Sequence, residues 1–469
     1  MPQVGIGAEE LAKSLQNKED ILILDLRTKE KFMEGHIPTS ASVAAESPQQ
    51  KQAMLSKVPG AFKIILIDDG SGEAEQYANA MSRFGYRAHF LQGGISQWKS
   101  ELQKSSQTPV ISGDNLFAKI NNEKDVFLLD VREPMEFAEF KIPGAVNIPL
   151  GELFMPDIQE KLPKDKKIVT ICSHGNRSMV ATFTLAQKGI ETSSLSGGMA
   201  LWNQVLHDEV AVKENDLIIV QVEKVGKGCL SHIIGSGGEA AVIDPNHPAS
   251  KYVEFAQKHG LKITKVIDTH QHADHVSATR ELASITGAKL YYSAKEDYKI
   301  QAERLDDGNE IQIGIKKLRV IHTPGHTAGS MTYIFDDKYV FSGDILFVEG
   351  IGRPDLRDQV EQFSQELYDT LHNKLLTLPN DVKIFPTHHG EGVNPTENGI
   401  YYTTPEMAKK LSLLDLPKDE FVKNIVSVTT PRPMNYGMII KVNKGTIPPN
   451  PMMIPDLEIG PNRCSIRTN

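Results

Sequence analysis

Three imidazoles and a carboxylate fall within six residues in the run Thr269-His270-Gln271-His272-Ala273-Asp274-His275. Only 15 histidines occur in 469 residues, so composition alone does not produce this density. The apolar run at 263–268 reads as a buried strand, which puts the cluster at a strand end. His322-Thr323-Pro324-Gly325-His326, Ser342-Gly343-Asp344 and Phe385-Pro386-Thr387-His388-His389-Gly390 each follow an apolar run in the same way. Neutral imidazoles and ionised carboxylates delivered from separate strand ends are what a first-row divalent metal needs. Solvated loop histidines are the competing reading, and the repeated placement at strand ends weighs against it.

A second chemistry sits earlier in the chain. Cys172-Ser173-His174-Gly175-Asn176-Arg177-Ser178 lies between an apolar strand at 168–171 and an amphipathic helix. Loop amides and a helix N-terminus together make an anion site. A cysteine there is expected to be acidic and nucleophilic, and Arg177 adds a fixed positive charge. A small buried cysteine at a strand end is the alternative.

The elements that position these residues follow from the rest of the sequence. A chain of 469 residues exceeds one core, so two to four domains are expected. Hydrophobic residues at 40 % and charged residues at 24 % are ordinary for a globular protein. A net charge of −9 argues against nucleic acid as the main partner. No apolar stretch reaches the length of a membrane span, and the N-terminal residues lack the pattern of a secretory signal. Three cysteines, Cys172, Cys229 and Cys464, cannot make a disulfide framework, and a cytoplasmic location is expected.

The first part of the chain is duplicated. Ile21-Leu22-Ile23-Leu24-Asp25-Leu26-Arg27 matches Val126-Phe127-Leu128-Leu129-Asp130-Val131-Arg132, and Leu91-Gln92-Gly93-Gly94 with Trp98 matches Leu195-Ser196-Gly197-Gly198 with Trp202. Each copy alternates short apolar strands with helical segments, which predicts an α/β domain with a mainly parallel sheet. Residues 99–108 read as a linker. From residue 217 strands dominate, at 217–222, 230–234, 240–243, 289–292, 318–321, 331–335 and 339–341. Helices are expected at 249–259, 275–286 and 362–376. That pattern favours a two-sheet core flanked by helices. The Pro- and Met-containing tail from residue 448 is expected to wrap over a surface. The domains expected are 1–104, 105–210 and 211–469.

The segment 107–206 resembles the rhodanese family in its Asp-x-Arg strand end, its Ile142-Pro143-Gly144-Ala145-Val146-Asn147-Ile148-Pro149 segment, its Cys172 loop and its Gly-Gly-x-x-x-Trp ending. The resemblance implies a persulfide on Cys172, held by Arg177 and the loop residues Ser173, His174, Gly175, Asn176 and Ser178. It also implies sulfur passed among thiols, thiosulfate and sulfite. The first copy resembles the family in framework only. Alignment through Gly93-Gly94 sets Asp68 opposite Cys172, Ser71 opposite Gly175 and Glu73 opposite Arg177, so that copy is expected to be catalytically silent.

His270, His272, Asp274, His275, His326, Asp344 and His388 resemble the ligand set of the metallo-β-lactamase fold. The fold class expected is therefore α/β multi-domain, with two rhodanese-like α/β domains followed by an αββα sandwich. Gly350-Ile351-Gly352-Arg353-Pro354-Asp355-Leu356 resembles the persulfide dioxygenase branch of that fold. This implies one Fe(II) per chain on His270, His326 and Asp344, with O2 and a low-molecular-weight persulfide such as glutathione persulfide as substrates. Sulfite and thiol would be the products, and sulfide detoxification the role. His272, Asp274, His275 and His388 would be supporting groups or would hold a second metal. Arg353 is a candidate for the carboxylates of a glutathione-like thiol, with an ordinary salt bridge as the alternative. Cys464 is taken as structural or incidental, and Cys229 as a core residue. The competing function is a glyoxalase II-like di-zinc thioester hydrolase with a sulfur-carrier domain. No nucleic-acid or membrane partner is expected, and a homodimer or tetramer is possible.

Overall fold

The computed structural model describes residues 4–467 apart from 18, 20, 44–46, 57, 59–62, 105–108, 124, 156, 356–358, 391, 397, 428–431 and 433–434. Leu356 and residues 105–108 of the expected linker lie outside the described residues. The chain forms two compact units, Met1–Trp202 and Asn203–Asn469.

The first unit holds two five-stranded sheets with the same strand order. One runs Gly5–Ile6, Arg87–Leu91, Lys63–Ile67, Ile21–Asp25, Ala41–Ser42, and the other Val110–Ile111, Thr192–Leu195, Lys167–Ile171, Val126–Asp130, Val146–Asn147. Every pairing in both is parallel. Parallel neighbours need crossover connections, which the helices Glu73–Arg83 and Asn176–Gln187 supply. The central strands Ile21–Asp25 and Lys63–Ile67 are almost wholly buried, as both-face coverage requires. The Asp-x-Arg signature closes on itself: Arg27 pairs with Asp25, and Arg132 with Asp130, each at 2.7 Å. The repeats share one apolar core, in which Leu24, Leu66, Leu129 and Leu185 are fully buried. Phe32 stacks on His36 at 4.0 Å, and Phe183 of the second repeat meets Phe32 edge-on at 5.4 Å.

The second unit is a sandwich. A seven-stranded sheet runs Leu206–Glu214, Leu217–Lys224, Cys229–Ser236, Glu239–Ile243, Lys262–Ile267, Lys289–Ser293, Glu303–Leu305. A five-stranded sheet runs Glu310–Ile313, Lys316–His322, Met331–Phe335, Tyr339–Gly343, Lys383–Pro386. Ile219, Ile234, Ile243, Val320, Tyr333, Phe341 and Phe385 fill the space between the sheets. Tyr252 and Leu282, from the helices Ser250–Lys258 and Thr279–Thr286, cover one outer face. Leu367 and Phe421, from Val360–Thr370 and Lys418–Ser427, cover the other. Among the described residues no helix is long and apolar enough to cross a membrane.

Three sequence-based boundaries shift, each for a physical reason. The domain boundary expected at 210/211 falls inside the strand Leu206–Glu214, which pairs along its length with Leu217–Lys224 and so belongs to the second unit. The helix expected from 275 starts at Thr279, because 275–278 is held as loop by partners from the C-terminal segment. The tail enters the structure instead of lying over it: Ser465–Arg467 pairs with Gly350–Gly352, and Ile454 packs with Val276, Ile439 and Val442.

Candidate metal centre and sulfur-transfer loop

Four strand ends of the sandwich deliver the metal-ligand candidates, all nearly or fully buried. Lys262–Ile267 leads into His270, Lys316–His322 into His326, Tyr339–Gly343 into Asp344 and Lys383–Pro386 into His388. The approach is tight enough to dictate residue types. A Cβ on Gly352 would lie 1.7 Å from the Asp344 carbonyl oxygen, so only glycine fits.

His270, His326 and Asp344 form one group whose ligand atoms lie within 4.8 Å of one another. Asp344 Oδ2 lies 3.6 Å from His270 Nε2 and 3.5 Å from His326 Nε2. The tautomers follow from the surroundings. His326 Nδ1 donates to the Arg353 carbonyl at 2.8 Å, which can only accept, so Nε2 keeps its lone pair. Thr269 Oγ1 gives its proton to Asp244 Oδ2 at 2.9 Å and so accepts from His270 Nδ1 at 2.9 Å. His270 Nε2 and Asp344 Oδ2 are buried with no hydrogen-bond partner. The other Asp344 oxygen is fixed by Thr387 Oγ1 and by His388 Nδ1 at 2.7 Å. Burial, and then the neighbouring His272, hold His270 well below the ordinary histidine value, as a neutral ligand requires. Two bare imidazole nitrogens and one bare carboxylate oxygen fit a divalent metal, and leave one side of the ion open.

The remaining candidates fall into two other groups. Cys229, Asp274, His275 and His388 place ligand atoms within 4.8 Å, with Asp274 Oδ2 at 2.9 Å from His388 Nε2 and 3.5 Å from Cys229 Sγ. His275 Nδ1 meets Asp274 Oδ1 at 3.1 Å. His272 lies between the two sets, its ring centroid 4.2 Å from that of His270 and 4.3 Å from that of His275. Its Nε2 lies 3.0 Å from Asp244 Oδ1 and 3.7 Å from Asp268 Oδ1, and its buried Nδ1 has no hydrogen-bond partner. Burial alone would lower its pKa, but Asp244 and Asp268 raise it well above the ordinary histidine value.

Arg353 makes the salt bridge given as the alternative. Its side chain is fully buried, gripped by Asp355 at 2.7 and 2.6 Å, and donates to the Arg463 carbonyl at 3.0 Å. What it offers the centre is its main-chain carbonyl. Cys229 was read as a core residue and Cys464 as structural or incidental; both are buried, and both sit at the centre, Cys464 grouped with Asp344 and His388. A bridge between Cys229 and His388 brings the first thiol in. Asn443 and Glu458 lay outside every motif. The Asn443 amide donates to the carbonyls of His272 and His275 at 2.9 and 2.8 Å and accepts from Ser277 N–H at 2.9 Å. Glu458 accepts from Val276 N–H at 2.7 Å and from Lys224, while Lys227 bridges the Asp274 and Glu458 carbonyls at 2.7 and 2.9 Å.

In the first unit Cys172 ends the strand Lys167–Ile171, and Gly175, with φ of 91°, opens the helix Asn176–Gln187. The thiol is buried and cradled by Gly175 N–H at 3.1 Å, and it donates to Ser178 Oγ at 3.4 Å. A Cβ on Gly198 would lie 2.2 Å from the Cys172 carbonyl oxygen, which explains the paired glycines. His174 is exposed at the rim. Arg177 donates to Glu136 at 2.8 and 2.7 Å and to Ser173 Oγ at 3.0 Å. In the first repeat Asp68 fills its own cradle: its carboxylate accepts from Gly70 N–H at 2.9 Å and Ala74 N–H at 3.0 Å. Those amides are then not offered to another anion.

The family models matched are the metallo-beta-lactamase superfamily over residues 226–388 and the rhodanese-like domain over residues 7–101 and 114–205. Among curated relatives, the mitochondrial persulfide dioxygenase ETHE1 of Bos taurus is 30 % identical over 213 residues, 44 % of this chain and 78 % of that protein. A hydroxyacylglutathione hydrolase of Methylococcus capsulatus is 35 % identical over 162 residues, 34 % of this chain and 60 % of that one. The solved structure of ETHE1 from Myxococcus xanthus is 27 % identical, with a TM-score of 0.45, and covers 49 % of this chain and 99 % of its own. The chain thus belongs to the metallo-β-lactamase superfamily, is a homologue of the ETHE1 persulfide dioxygenases over that part, and carries two rhodanese-like domains ahead of it.

Proposed function

We propose that the second unit is a mononuclear iron persulfide dioxygenase and that the first transfers sulfane sulfur through Cys172. The net oxidation takes a persulfide R–S–SH, O2 and water to R–SH and sulfite with two protons. The observation that carries this reading is the three-residue face of His270, His326 and Asp344, with His270 Nε2 and Asp344 Oδ2 buried and unpartnered, while the Nε2 of His272 is engaged by Asp244. Fe(II) held by these residues would supply the one-electron chemistry that lets a closed-shell sulfur compound react with O2. The chain's own groups set the stage. Arg353 and Thr269 fix the two imidazoles by their Nδ1 protons, and Thr387 with His388 pins Asp344, so that only one carboxylate oxygen faces the centre. Burial of the whole set strengthens each of these contacts.

In the first unit Cys172 thiolate attacks a sulfane sulfur, the S–S bond of the donor breaks, and the donor's thiolate or sulfite leaves. A thiol or sulfite then takes the outer sulfur from Cys172. The cradle of loop amides supports the negative charge on that sulfur. Cys172→Ser is expected to lower thiosulfate:thiol transfer by roughly a thousandfold or more while O2 uptake with glutathione persulfide persists. Retention of transfer would remove Cys172 from the role.

A second reading is a di-zinc thioester hydrolase. The adjacent group of Cys229, Asp274, His275 and His388 favours it, as does the hydroxyacylglutathione hydrolase similarity. Protein loaded with iron, and separately with zinc, is to be assayed for O2 uptake with glutathione persulfide and for hydrolysis of S-lactoylglutathione. Uptake at one iron per chain supports oxidation. Brisk hydrolysis at two zinc ions, without uptake by the iron form, supports the alternative.

A further inference from the structure

Arg177 was expected to add a fixed positive charge to the Cys172 loop, and Glu136 offsets that charge. The Glu136 carboxylate takes Nη1 of Arg177 at 2.8 Å and Nη2 at 2.7 Å, a two-pronged contact, and accepts Ser173 Oγ at 3.0 Å. It is fixed from behind by Glu133 N–H at 3.2 Å, inside the capping box of the helix Pro134–Glu139. Arg177 is 11 % exposed and Glu136 33 %, so solvent weakens the pair without cancelling it. The Arg177 hydrogen bonds hold the Glu136 carboxyl at about 2, ionised throughout the working range.

The duplication supplies an internal comparison. Glu136 corresponds to Lys31 at the same offset that aligns Asp130 with Asp25, and Arg177 corresponds to Glu73. In the silent copy both signs are reversed, and the partners differ: Lys31 pairs with Asp69 and Glu73 with Lys51. The Glu136–Arg177 pair therefore accompanies the copy that keeps the cysteine.

We propose that Glu136 is a positioning residue that sets donor choice: by occupying Arg177 it withholds net positive charge from the sulfur-binding loop. The transferase then favours persulfide donors over the thiosulfate dianion. This rests on the Cys172 transfer reading and deepens it. In the favoured step Cys172 thiolate attacks the outer sulfur of R–S–SH. The inner S–S bond breaks, Cys172–S–SH forms, and the R–S⁻ released takes a proton from water.

The test uses the full-length chain with dithiothreitol as acceptor and thiosulfate or glutathione persulfide as donor, in wild type, Glu136→Gln and Glu136→Asp. Removing one unit charge close to a dianion in a partly exposed site is worth roughly a fivefold change in affinity. Glu136→Gln is expected to lower KM for thiosulfate by about fivefold, with kcat nearly unchanged and a steeper rise of KM with salt. Its KM for glutathione persulfide is expected to move less than about twofold on the same reasoning. Glu136→Asp keeps the charge and should keep the wild-type KM for thiosulfate. A thiosulfate KM that stays put or rises in Glu136→Gln, or equal shifts in the Gln and Asp variants, overturns the proposal, because the carboxylate would then be only a brace. Wild type without Cys172-dependent turnover on either donor would strike the transfer reading itself.

Discussion

Asp344→Ala is expected to empty the three-residue face of metal and to lower O2 uptake by about a hundredfold or more, while Cys172-dependent transfer in the same chain continues. Loss of a group that merely supports a ligand costs ~10–100-fold in metal affinity, and Asp344 is proposed as a ligand itself. Its Oδ2 is the one carboxylate oxygen that both bare imidazole nitrogens face, and no hydrogen bond competes for it. Its Oδ1 meanwhile anchors Thr387 and His388, so the substitution also frees the residue that links the two clusters. Metal content per chain, O2 consumption with glutathione persulfide and thiosulfate:thiol transfer are to be measured on one preparation. The transferase serves as the folding control. Asp274→Ala is the contrasting variant: it dismantles the Cys229, Asp274, His275 and His388 group and leaves the three-residue face its ligands. Iron loading and uptake that survive Asp344→Ala but not Asp274→Ala would move the centre to the other cluster.

Much of this arrangement was legible in the sequence because the chemistry is local there. His270 to His275 announce themselves by density, and the Cys172 loop by its place between a strand and a helix. The duplication shows in aligned Asp-x-Arg and Gly-Gly-x-x-x-Trp signatures, and the structure repeats the strand order in both copies. Three-dimensional partition was not legible. Spacing left His272 open between a supporting group and a second-metal ligand, and the partner of its Nε2, Asp244, lies 28 residues away. Whether Arg353 meets a substrate carboxylate or an ordinary salt bridge was not legible, because the groups that cover it are not in the run around it. That cover comes from the far terminus, through Arg463 and Cys464. Cys229 carried no motif, since only a bridge to His388 brings it to the centre. Glu458 and Asn443 act through hydrogen bonds to main-chain groups 166 to 182 residues away, which no periodicity encodes.

Glu458→Ala is the second large effect expected, and it separates stability from positioning. Burial alone would raise this carboxyl, yet Lys224 and Lys227 hold it at about 2, and its side chain and that of Lys224 are fully buried. Removing it leaves two buried ammonium groups without their counter-charge, at a cost of about 3–5 kcal/mol. Because the folded value lies below the unfolded value of roughly 4.3, the contribution is complete above that pH and fades as pH falls toward 2. The wild type should therefore lose urea resistance steeply between about pH 5 and pH 2, and the variant less so over the same interval. Glu458 also holds Val276 N–H, at the end of the loop that carries His270, so the variant is expected to bind metal about 10–100-fold more weakly. The Lys224→Met, Glu458→Met double variant distinguishes the two roles. An apolar pair of similar volume removes the stranded charge at Lys224 and should recover much of the stability. It cannot accept the Val276 N–H, so its metal affinity should remain low. Recovery of both together would mean that Glu458 serves the fold alone and that the ligand loop is held by Asn443 and Lys227 without it.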